Sequence, residues 1–507
     1  MATSNGGLRN MTEGSPARHI ILFALPLLAG SFLQQLYNMV DSWVVGQYVG
    51  DAALAAVGIG FPVIFMFTSL FMGLANGGTV VIAQFYGAGE LDRVRDAVDT
   101  IYTAFTVSAV PVTLLAVGLV KPILFLLRVD ATAYDDAWLY LTVVCAGLVG
   151  TIGYNLNAGI LGGLGNSSTT LRFLAVAALL NIALDLILVL ACSWGVFGVA
   201  IGTVVSQSFS WLYGLWYINR RYPQIAIRPF CRRFDRSLFG QIMGIGLPAG
   251  IQMSLVALGA MVVMSKINTF GKEFTAGYNV GYRLDQLAFL PVQSLSNAVT
   301  AFVGQNIGAR RLDRARQGIR VTVASSVVWS LLMAAVLIPF GPNLVGLFSD
   351  TPAVIDAGAV YLRCIMPFYA IFAVMFSLNN AMRGAGESIF PMLDAIFSLI
   401  LLRVPAVYFL ANRFGSDYMY YGIGIGWMLG FTLSALYYLS GRWKRHGSLA
   451  DRDCRHIPTW SEYAALVDTH IPPVCLIIEV VLNVLRYVDS PKLVGVKTAQ
   501  PFIIGNI

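Results

Sequence analysis

The chain has 507 residues, of which 57% are hydrophobic and 12% are charged, and its formal net charge is +7. A soluble protein cannot bury so much apolar surface, so the composition excludes a soluble enzyme, a disordered protein and a disulfide-rich secreted domain. In a membrane protein a basic excess is typical of cytoplasmic loops that meet anionic lipid, and it does not indicate nucleic acid. The six cysteines form no CxxC pair, so the sequence predicts no redox or metal centre.

Apolar stretches close to the roughly 20 residues that a bilayer-spanning helix needs recur along the whole chain. Their polar, Gly and Pro breaks predict twelve spans, near residues 20–47, 54–85, 98–120, 137–158, 168–191, 195–218, 238–265, 277–306, 318–341, 358–382, 388–411 and 419–440. The remaining segments are a polar N-terminus (1–19), a basic linker (219–237) and a tail (441–507). Within the tail, the apolar run 472–485 is too short to span a bilayer easily and favours an interfacial helix.

Basic residues are distributed unequally between the two sets of alternating loops. One set has about three times as many as the other, and the positive-inside rule places that set in the cytoplasm, together with both termini. Its members are Arg9, Arg18, Arg93, Arg95, Arg220, Arg221, Arg228, Arg232, Arg233, Arg236, Arg310, Arg311, Arg314, Arg316, Arg320 and Arg383. The poorer set has Lys121, Arg128, Lys266, Lys272 and Arg413.

An internal repeat relates the two halves of the chain. The stretch from Gln84 to Arg95 is repeated 221 residues later, from Gln305 to Arg316, and the same offset relates Gly163-Leu-Gly165 to Gly384-Ala-Gly386. The chain is therefore predicted to be a duplicated unit of six helices, an N-lobe (20–218) and a C-lobe (238–440). Because six is even, both copies enter the membrane from the same side, as in transporters that work by alternating access between two lobes.

GxxxG spacing occurs in the sixth helix of each copy, at Gly198/Gly202 and Gly422/Gly426. Small residues at this spacing let helices approach closely, so we interpret both pairs as packing contacts.

Among the acidic residues inside predicted spans two aspartates stand out, Asp41 in the first span and Asp185 in the fifth. A carboxylate at the centre of a membrane helix costs about 2.5–3.5 kcal/mol, so it needs a cavity, a partner or a proton. The polar residues that share a helix face with one or the other aspartate are Gln34, Tyr37, Asn38 and Asn181.

Both helices run outward, and each aspartate lies past the middle of its span, so the two carboxyl groups are expected at similar depth. Neighbouring carboxylates in a medium of low dielectric are poorly solvated and repel each other, so such a pair binds a proton readily. Carboxylate and amide oxygens also suit Na⁺. The sequence therefore predicts a cation-coupling site for H⁺ or Na⁺ at this pair.

The sequence resembles that of the multidrug and toxic compound extrusion (MATE) transporters over about residues 15–440. The resemblance is carried by Ala24-Leu-Pro26, Tyr37-Asn-Met-Val-Asp41, Gly87-Ala-Gly89 and Asn181-Ile-Ala-Leu-Asp185, in family order and spacing. It implies an all-α polytopic membrane protein with twelve transmembrane helices in two six-helix lobes. It also implies export of amphiphilic, often cationic, organic compounds in exchange for H⁺ or Na⁺, with no bound cofactor.

The resemblance further implies that Asp41, Asn181 and Asp185 form the coupling network, together with Tyr140 and Thr203 from neighbouring helices. We expect the substrate to be contacted by Gln34, Tyr37, Asn38 and Asn157. The implied setting is a monomer in the cell membrane, with small organic compounds and the lipid bilayer as its partners and no nucleic acid.

The C-lobe departs from part of the family. NorM-like members have a glutamate on the seventh helix that contributes to a C-lobe cation site, whereas residues 252–259 here contain no acid. This difference disfavours a sodium site there, and the N-lobe pattern resembles the DinF-like branch, for which proton coupling is the usual proposal. The polar residues of the C-lobe are interpreted as packing or gate contacts: Arg283, Asp285, Arg383, Asp394 and Arg403.

Two other functions remain as alternatives. A flippase for a lipid-linked oligosaccharide would share the architecture, but its cavity should be richly basic, whereas this N-lobe is acidic. An integral membrane enzyme would need catalytic residues inside the membrane, and the chain has no HExxH or GxSxG motif. Its four histidines all lie outside the predicted spans: His19, His446, His456 and His470.

Overall fold

The computed structural model describes residues 9–127, 129–228 and 233–446, and these residues form helices joined by short loops. The helices of the first half are α1 (Pro16–Tyr48), α2 (Asp51–Ala88), α3 (Leu91–Leu126), α4 (Ala131–Ala146), α5 (Leu148–Gly163), α6 (Ser167–Asp185) and α7 (Gly195–Arg221). Those of the second half are α8 (Arg236–Asn268), α9 (Lys272–Gly308), α10 (Leu312–Gly346), α11 (Pro352–Ile365), α12 (Tyr369–Gly384), α13 (Ile389–Ala395), α14 (Arg403–Phe414) and α15 (Met419–Leu439). Arg128, Arg232 and most of the predicted tail, including 472–485, lie outside the described residues.

Eleven helices of the described residues are long and apolar enough to cross a membrane, and the pair α4–α5, bent by 49°, makes a twelfth span. Every one of the twelve predicted spans is found. Large apolar side chains stay exposed on their outer faces, for example Val107 (71%) and Leu114 (67%), as expected of surfaces that face lipid. The chain is thus an all-α polytopic membrane protein.

Several helices are interrupted where their sequence weakens or re-routes the regular hydrogen bonding. Gly147 separates α4 from α5, and a Cβ at this position would overlap the side chain of Val204 on α7. A π-helical segment, Leu186–Ala191, continues α6, and a second one, Ile396–Leu402, joins α13 to α14. Such segments insert an extra residue into a turn and re-aim the side chains around them.

Some helix starts are fixed by side-chain caps, which satisfy the free amide groups of the first turn. Asp130 accepts hydrogen bonds from the Thr132 amide (2.8 Å) and hydroxyl (2.6 Å) at the start of α4. These two bonds lower the pKa of Asp130. At the start of α8, Asp235 accepts from the amide groups of Ser237 (2.8 Å) and Leu238 (3.1 Å).

Glycines allow the helices to pack closely, within and between the halves. A Cβ at Gly422 would overlap the main chain of Val407, so this predicted GxxxG pair is confirmed as a packing contact. The halves also approach closely where α2 meets α8, with Gly73 and Gly77 of α2 facing Gly246. The GxxxG spacing of Gly73 and Gly77 was not predicted to be a packing contact, because the sequence of one helix does not indicate which helix packs against it.

Most of the described basic residues lie in or beside loops at one end of the bundle, here called the basic end, at residues 88–91, 221–228, 233–236, 308–312 and 384–388. There the two repeated motifs contact each other crosswise. The Gln84 side-chain amide donates to the carbonyl of Gly384 (3.2 Å), and that of Gln305 donates to the carbonyl of Gly163 (3.0 Å). Each glutamine therefore bonds to the glycine that the other half carries at the equivalent position.

Residues 9–14, called here the N-terminal strap, pass between the halves at the basic end. Met11 is fully buried, and its amide donates to Oε1 of Gln305 (2.9 Å). Arg314 donates to the carbonyls of Met11 (3.2 Å), Glu13 (2.7 Å) and Gly14 (2.6 Å). The strap thus adds contacts to the same end of the interface that the two glutamines join.

Candidate functional site

Asp41 and Asp185 lie side by side inside the first half. Asp41 is on α1 and Asp185 is the last residue of α6, and they expose only 7% and 0% of their surface. Their carboxyl groups interact directly with each other. Within the described residues, Oδ1 of Asp41 and both carboxyl oxygens of Asp185 have no hydrogen-bond donor, and no basic side chain contributes to their electrostatic surroundings.

The local structure of two helices places Asp185 in this position. The π-helical segment Leu186–Ala191 starts directly after it, so the regular turn ends at the carboxylate. On the neighbouring α7, a Cβ at Gly202 would overlap Oδ1 of Asp185. The absence of a side chain at Gly202 therefore gives the carboxyl group its space.

Two tyrosines lie against the carboxylate pair. Tyr37, one turn before Asp41 on α1, is buried beside it and interacts with the side chain of Gln34. Tyr140 of α4 lies close to both aspartates and packs against Gly60, where a Cβ would come within 2.7 Å of its ring. The structure thus brings Tyr140 to the predicted coupling residues.

Asn181 and Thr203 add unpaired polar groups. Asn181 lies one turn before Asp185 on α6 and exposes 2% of its surface, and Thr203 follows Gly202 on α7. In the part of the chain that the structure describes, neither amide atom of Asn181 nor the hydroxyl of Thr203 has a hydrogen-bond partner. A buried polar group without a partner is costly, so these groups are available to a bound ion or molecule.

The predicted substrate residues divide into two groups. Gln34 is exposed and Asn38 is half-buried, and both are on the helix that carries Asp41. Asn157 is fully buried in a different cluster, where its Nδ2 donates to the Trp211 carbonyl (3.0 Å) and its Oδ1 accepts from the Tyr102 hydroxyl. The structure therefore does not bring Asn157 to the aspartates.

The second half contains a related arrangement that the sequence analysis missed. Tyr361 is the repeat equivalent of Tyr140, and it packs on Gly281, the equivalent of Gly60. Its hydroxyl donates to Oδ2 of Asp285 (3.0 Å), and the guanidinium of Arg403 supplies a positive charge nearby. The offset of 221 residues between the tyrosines was the signal in the sequence that could have revealed this similarity.

The two carboxylate sites therefore differ in charge balance. Asp285 has a hydroxyl donor and an adjacent cation supplied by the protein, whereas the pair Asp41–Asp185 has neither among the described residues. An uncompensated charge in a medium of low dielectric is expensive, so the pair requires a proton or another cation from outside the protein. This requirement is the chemical property expected of a cation-coupled transporter.

The MatE family profile matches the chain twice, over residues 26–187 and 248–409. The chain belongs to the MATE family. The double match confirms the predicted duplication into two lobes, and the membership makes the protein a membrane transporter of small molecules, not an enzyme. Both statements agree with the resemblance read from the motifs.

Similar proteins cover nearly the whole described fold. A probable multidrug resistance protein of Bacillus subtilis, YpnP, is 28% identical over 435 residues, which are 86% of this chain and 97% of that protein. An FAD transporter of Shewanella oneidensis is 23% identical over 76% of this chain and 86% of its own. The crystal structure of a MATE protein in complex with MaL6 has a TM-score of 0.81 at 22% identity, and covers 87% of this chain and 99% of that chain.

Proposed function

We propose that this MATE protein exports amphiphilic or cationic organic compounds from the cytoplasm in exchange for H⁺, with Asp41 and Asp185 as the coupling site. The observation that carries the proposal is the buried carboxylate pair without a cation from the protein. The multidrug resistance names of similar proteins support the substrate class. The cycle uses an ion gradient and needs no bound cofactor.

A proton suits the pair better than Na⁺. A hard cation such as Na⁺ prefers about six oxygen ligands, supplied by several side chains or waters. A proton needs only one carboxyl oxygen, and the second carboxylate of the pair then accepts it in a hydrogen bond. The absence of an acid in residues 252–259 disfavours a NorM-like sodium site in the C-lobe, which supports placing the chain with the DinF-like branch.

The basic end is assigned to the cytoplasm because arginine-rich loops stay on that side of a cell membrane. The cross-lobe bonds of Gln84 and Gln305 then close the transporter toward the cytoplasm in this conformation. Protons enter from outside and neutralise the carboxylate pair, and a cationic compound loses the charge that held it. The lobes then close outside and open inside, where the proton leaves and the next substrate binds.

The test is substrate accumulation in proteoliposomes, with a fluorescent lipophilic cation and an imposed gradient of either pH or Na⁺. We expect the pH gradient to drive transport by the wild type, and Asp41→Asn or Asp185→Asn to abolish it in protein that still folds. Asp313→Asn is the matched control, because Asp313 is exposed at the basic end and pairs with Arg316 on its own helix (3.1 Å).

Transport driven by Na⁺ alone would turn the same residues into a metal site and reject proton coupling. If neither gradient moves the cation and both variants behave like the wild type, the exporter proposal is rejected in favour of the lipid flippase. We also propose that the functional unit is a monomer. Cross-linking in the same liposomes measures this oligomeric state.

A further inference from the structure

Besides Asp285, the C-lobe contains another buried carboxyl group, that of Asp394. Asp394 is on α13 and exposes 1% of its surface. Its Oδ2 accepts from Nδ2 of Asn379 on α12 (2.7 Å) and lies 2.9 Å from the hydroxyl of Ser434 on α15. The same hydroxyl lies 2.9 Å from Oδ1 of Asn379, so three helices of one lobe meet in a closed triangle of polar atoms.

The number of hydrogens available to this triangle depends on the protonation of Asp394. If Asp394 is ionised, the single Ser434 hydroxyl hydrogen faces two acceptors, Oδ2 of Asp394 and Oδ1 of Asn379, and it satisfies only one. If Asp394 is protonated, its hydroxyl donates to Ser434, and Ser434 donates to Asn379. The neutral acid therefore completes a chain of hydrogen bonds. With the carboxylate, the same chain lacks one donor hydrogen.

Oδ1 of Asp394 is buried and has no hydrogen-bond partner among the described residues. An isolated carboxylate would leave this oxygen without solvation, whereas the carbonyl oxygen of a neutral acid costs far less to bury. The arrangement of donors and the burial therefore both favour a bound proton in this conformation.

The charged groups on the elements packed against α13 all have other contacts or lie at the ends of their helices. Arg383 of α12 donates to Gln252 (2.5 Å) and Asn380 (3.1 Å). Glu387, in the loop before α13, accepts from the hydroxyl of Tyr437 (3.1 Å).

On the remaining neighbouring elements, Arg403 lies beside Asp285, at the start of α14. Lys266, near the end of α8, donates to Asn412 (2.7 Å), and Arg236 is exposed at the beginning of α8. The sequence of α15 contains no Asp, Glu, Lys, Arg or His. None of these groups provides a cation for Asp394, whose electrostatic surroundings consist of Asn379 and Ser434.

The position of Asp394 parallels that of Asp185 in one respect. Asp185 directly precedes the π-helical segment Leu186–Ala191, and Asp394 lies two residues before the π-helical segment Ile396–Leu402. In both lobes the fifth span thus combines a buried carboxyl group with a break in regular helical hydrogen bonding, a feature common at functional sites. The two sites differ in depth, because Asp394 lies five residues, or roughly 8 Å, from the basic end of its helix.

We propose that Asp394, with Asn379 and Ser434, is a second proton-binding site, loaded in this conformation and emptied at the basic end when the lobes rearrange. The proposal rests on the proposed function, since it adds a proton to the same exchange cycle. On release, the O–H bond of Asp394 breaks, the proton passes to water on the cytoplasmic side, and the carboxylate keeps the hydrogen bond from Asn379. Each transported molecule is then exchanged for one proton more than the pair Asp41–Asp185 alone provides.

Asp394→Asn tests this proposal, because an amide imitates the neutral acid in shape and cannot lose a proton. The measurement is the accumulation ratio of a fluorescent lipophilic cation at equilibrium, over a series of imposed pH gradients. We expect the proton-to-substrate ratio to fall by one in the variant, and to stay unchanged in Asp313→Asn. A permanently protonated, purely structural Asp394 predicts the same ratio in the variant and the wild type, and that result overturns the second site.

Infrared difference spectroscopy of the purified protein gives a readout independent of transport. We expect a carbonyl band of a protonated carboxyl group that disappears on raising the pH and is missing from Asp394→Asn. If Asp394→Asn does not fold, Ser434→Ala takes its place: loss of the hydroxyl that contacts Asp394 should shift the band. An unshifted band overturns the proposal. If the wild type shows the band but no pH-driven transport, the proposed antiport fails while proton binding at Asp394 stands.

Discussion

Gln84 and Gln305 make the same hydrogen bond across the lobe interface in opposite directions. Each donates its side-chain amide to a glycine carbonyl of the other lobe, at 3.2 and 3.0 Å. Both glutamines are fully buried, so neither amide group can turn to water while the basic end is closed. Opening this end must break the two bonds together, which makes them suitable points for shifting the conformational equilibrium.

Replacing either glutamine by alanine should favour the conformation that is open at the basic end. Loss of one buried hydrogen bond costs about 1 kcal/mol, which corresponds to a population shift of about fivefold. Spin labels at Leu91 and Leu312, which are exposed and equivalent in the repeat, would report the distance between the lobes. Gln317→Ala, at an exposed position of α10, is the control, and equal distance distributions in all variants would contradict the prediction.

Gly87→Ala should have a stronger effect in the same direction. A Cβ at Gly87 would overlap the carbonyl oxygen of Gln305, so the lobes must separate to accommodate a methyl group. Overpacking of this kind costs about 1–3 kcal/mol, paid only by the closed conformation. The same helix offers a control, Gly58→Ala, where no atom lies within 4 Å of the added Cβ. A closed Gly87→Ala protein in the spin-label measurement would show that the interface adapts.

Arg314→Ala should release the N-terminal strap. Its guanidinium donates to three carbonyl groups of the strap, those of Met11, Glu13 and Gly14. A cysteine placed at Met11, in a background without native cysteines, is buried in the parent and should react several-fold faster with a membrane-impermeant maleimide in the variant. Arg316→Ala is the control, since Arg316 pairs with Asp313 on its own helix. Equal labelling rates in both variants would mean that other contacts hold the strap.

Gly202→Ala should impair coupling without removing any ionisable group. The added methyl would overlap Oδ1 of Asp185 and force this carboxyl group out of its position beside Asp41. We expect accumulation driven by a pH gradient to drop at least tenfold while the folded protein is retained. Gly118→Ala in α3, where the surroundings are open, should behave like the wild type. Full activity of Gly202→Ala would argue against a strict geometric requirement at the pair.

The spans were predictable because each one shows a strong apolar signal over the length of a bilayer. The bend between α4 and α5 was not, since the predicted span 137–158 runs through Gly147 without a polar break. A glycine in an apolar stretch fits both a straight helix and a broken one. Only its packing against Val204 decides between them.

The candidate site was predictable to the extent that charge is rare in the membrane. Asp41 and Asp185 are found together as their depth in the two helices predicts. The face of a helix that meets another helix depends on tertiary packing, so the sequence did not reveal that Asn157 turns to Trp211 or that Asp394 meets Ser434. Likewise, the repeat identified the two glutamines as equivalent but did not indicate that their partners lie in the opposite lobe.

The crosswise glutamine bonds also describe how such a molecule can be assembled from one kind of half. A six-helix chain with one glutamine and one glycine at these positions would form both bonds at once as a twofold-symmetric dimer, because donor and acceptor exchange between identical subunits. This seam, the interface formed by the two glutamine–glycine bonds, needs no other protein. It also needs no new contact when the two copies become one polypeptide. In the present chain the strap of residues 9–14, which precedes the first copy, joins Gln305 at this seam. The seam of the present chain thus combines the bonds between the two copies with a contact from the segment ahead of the first copy.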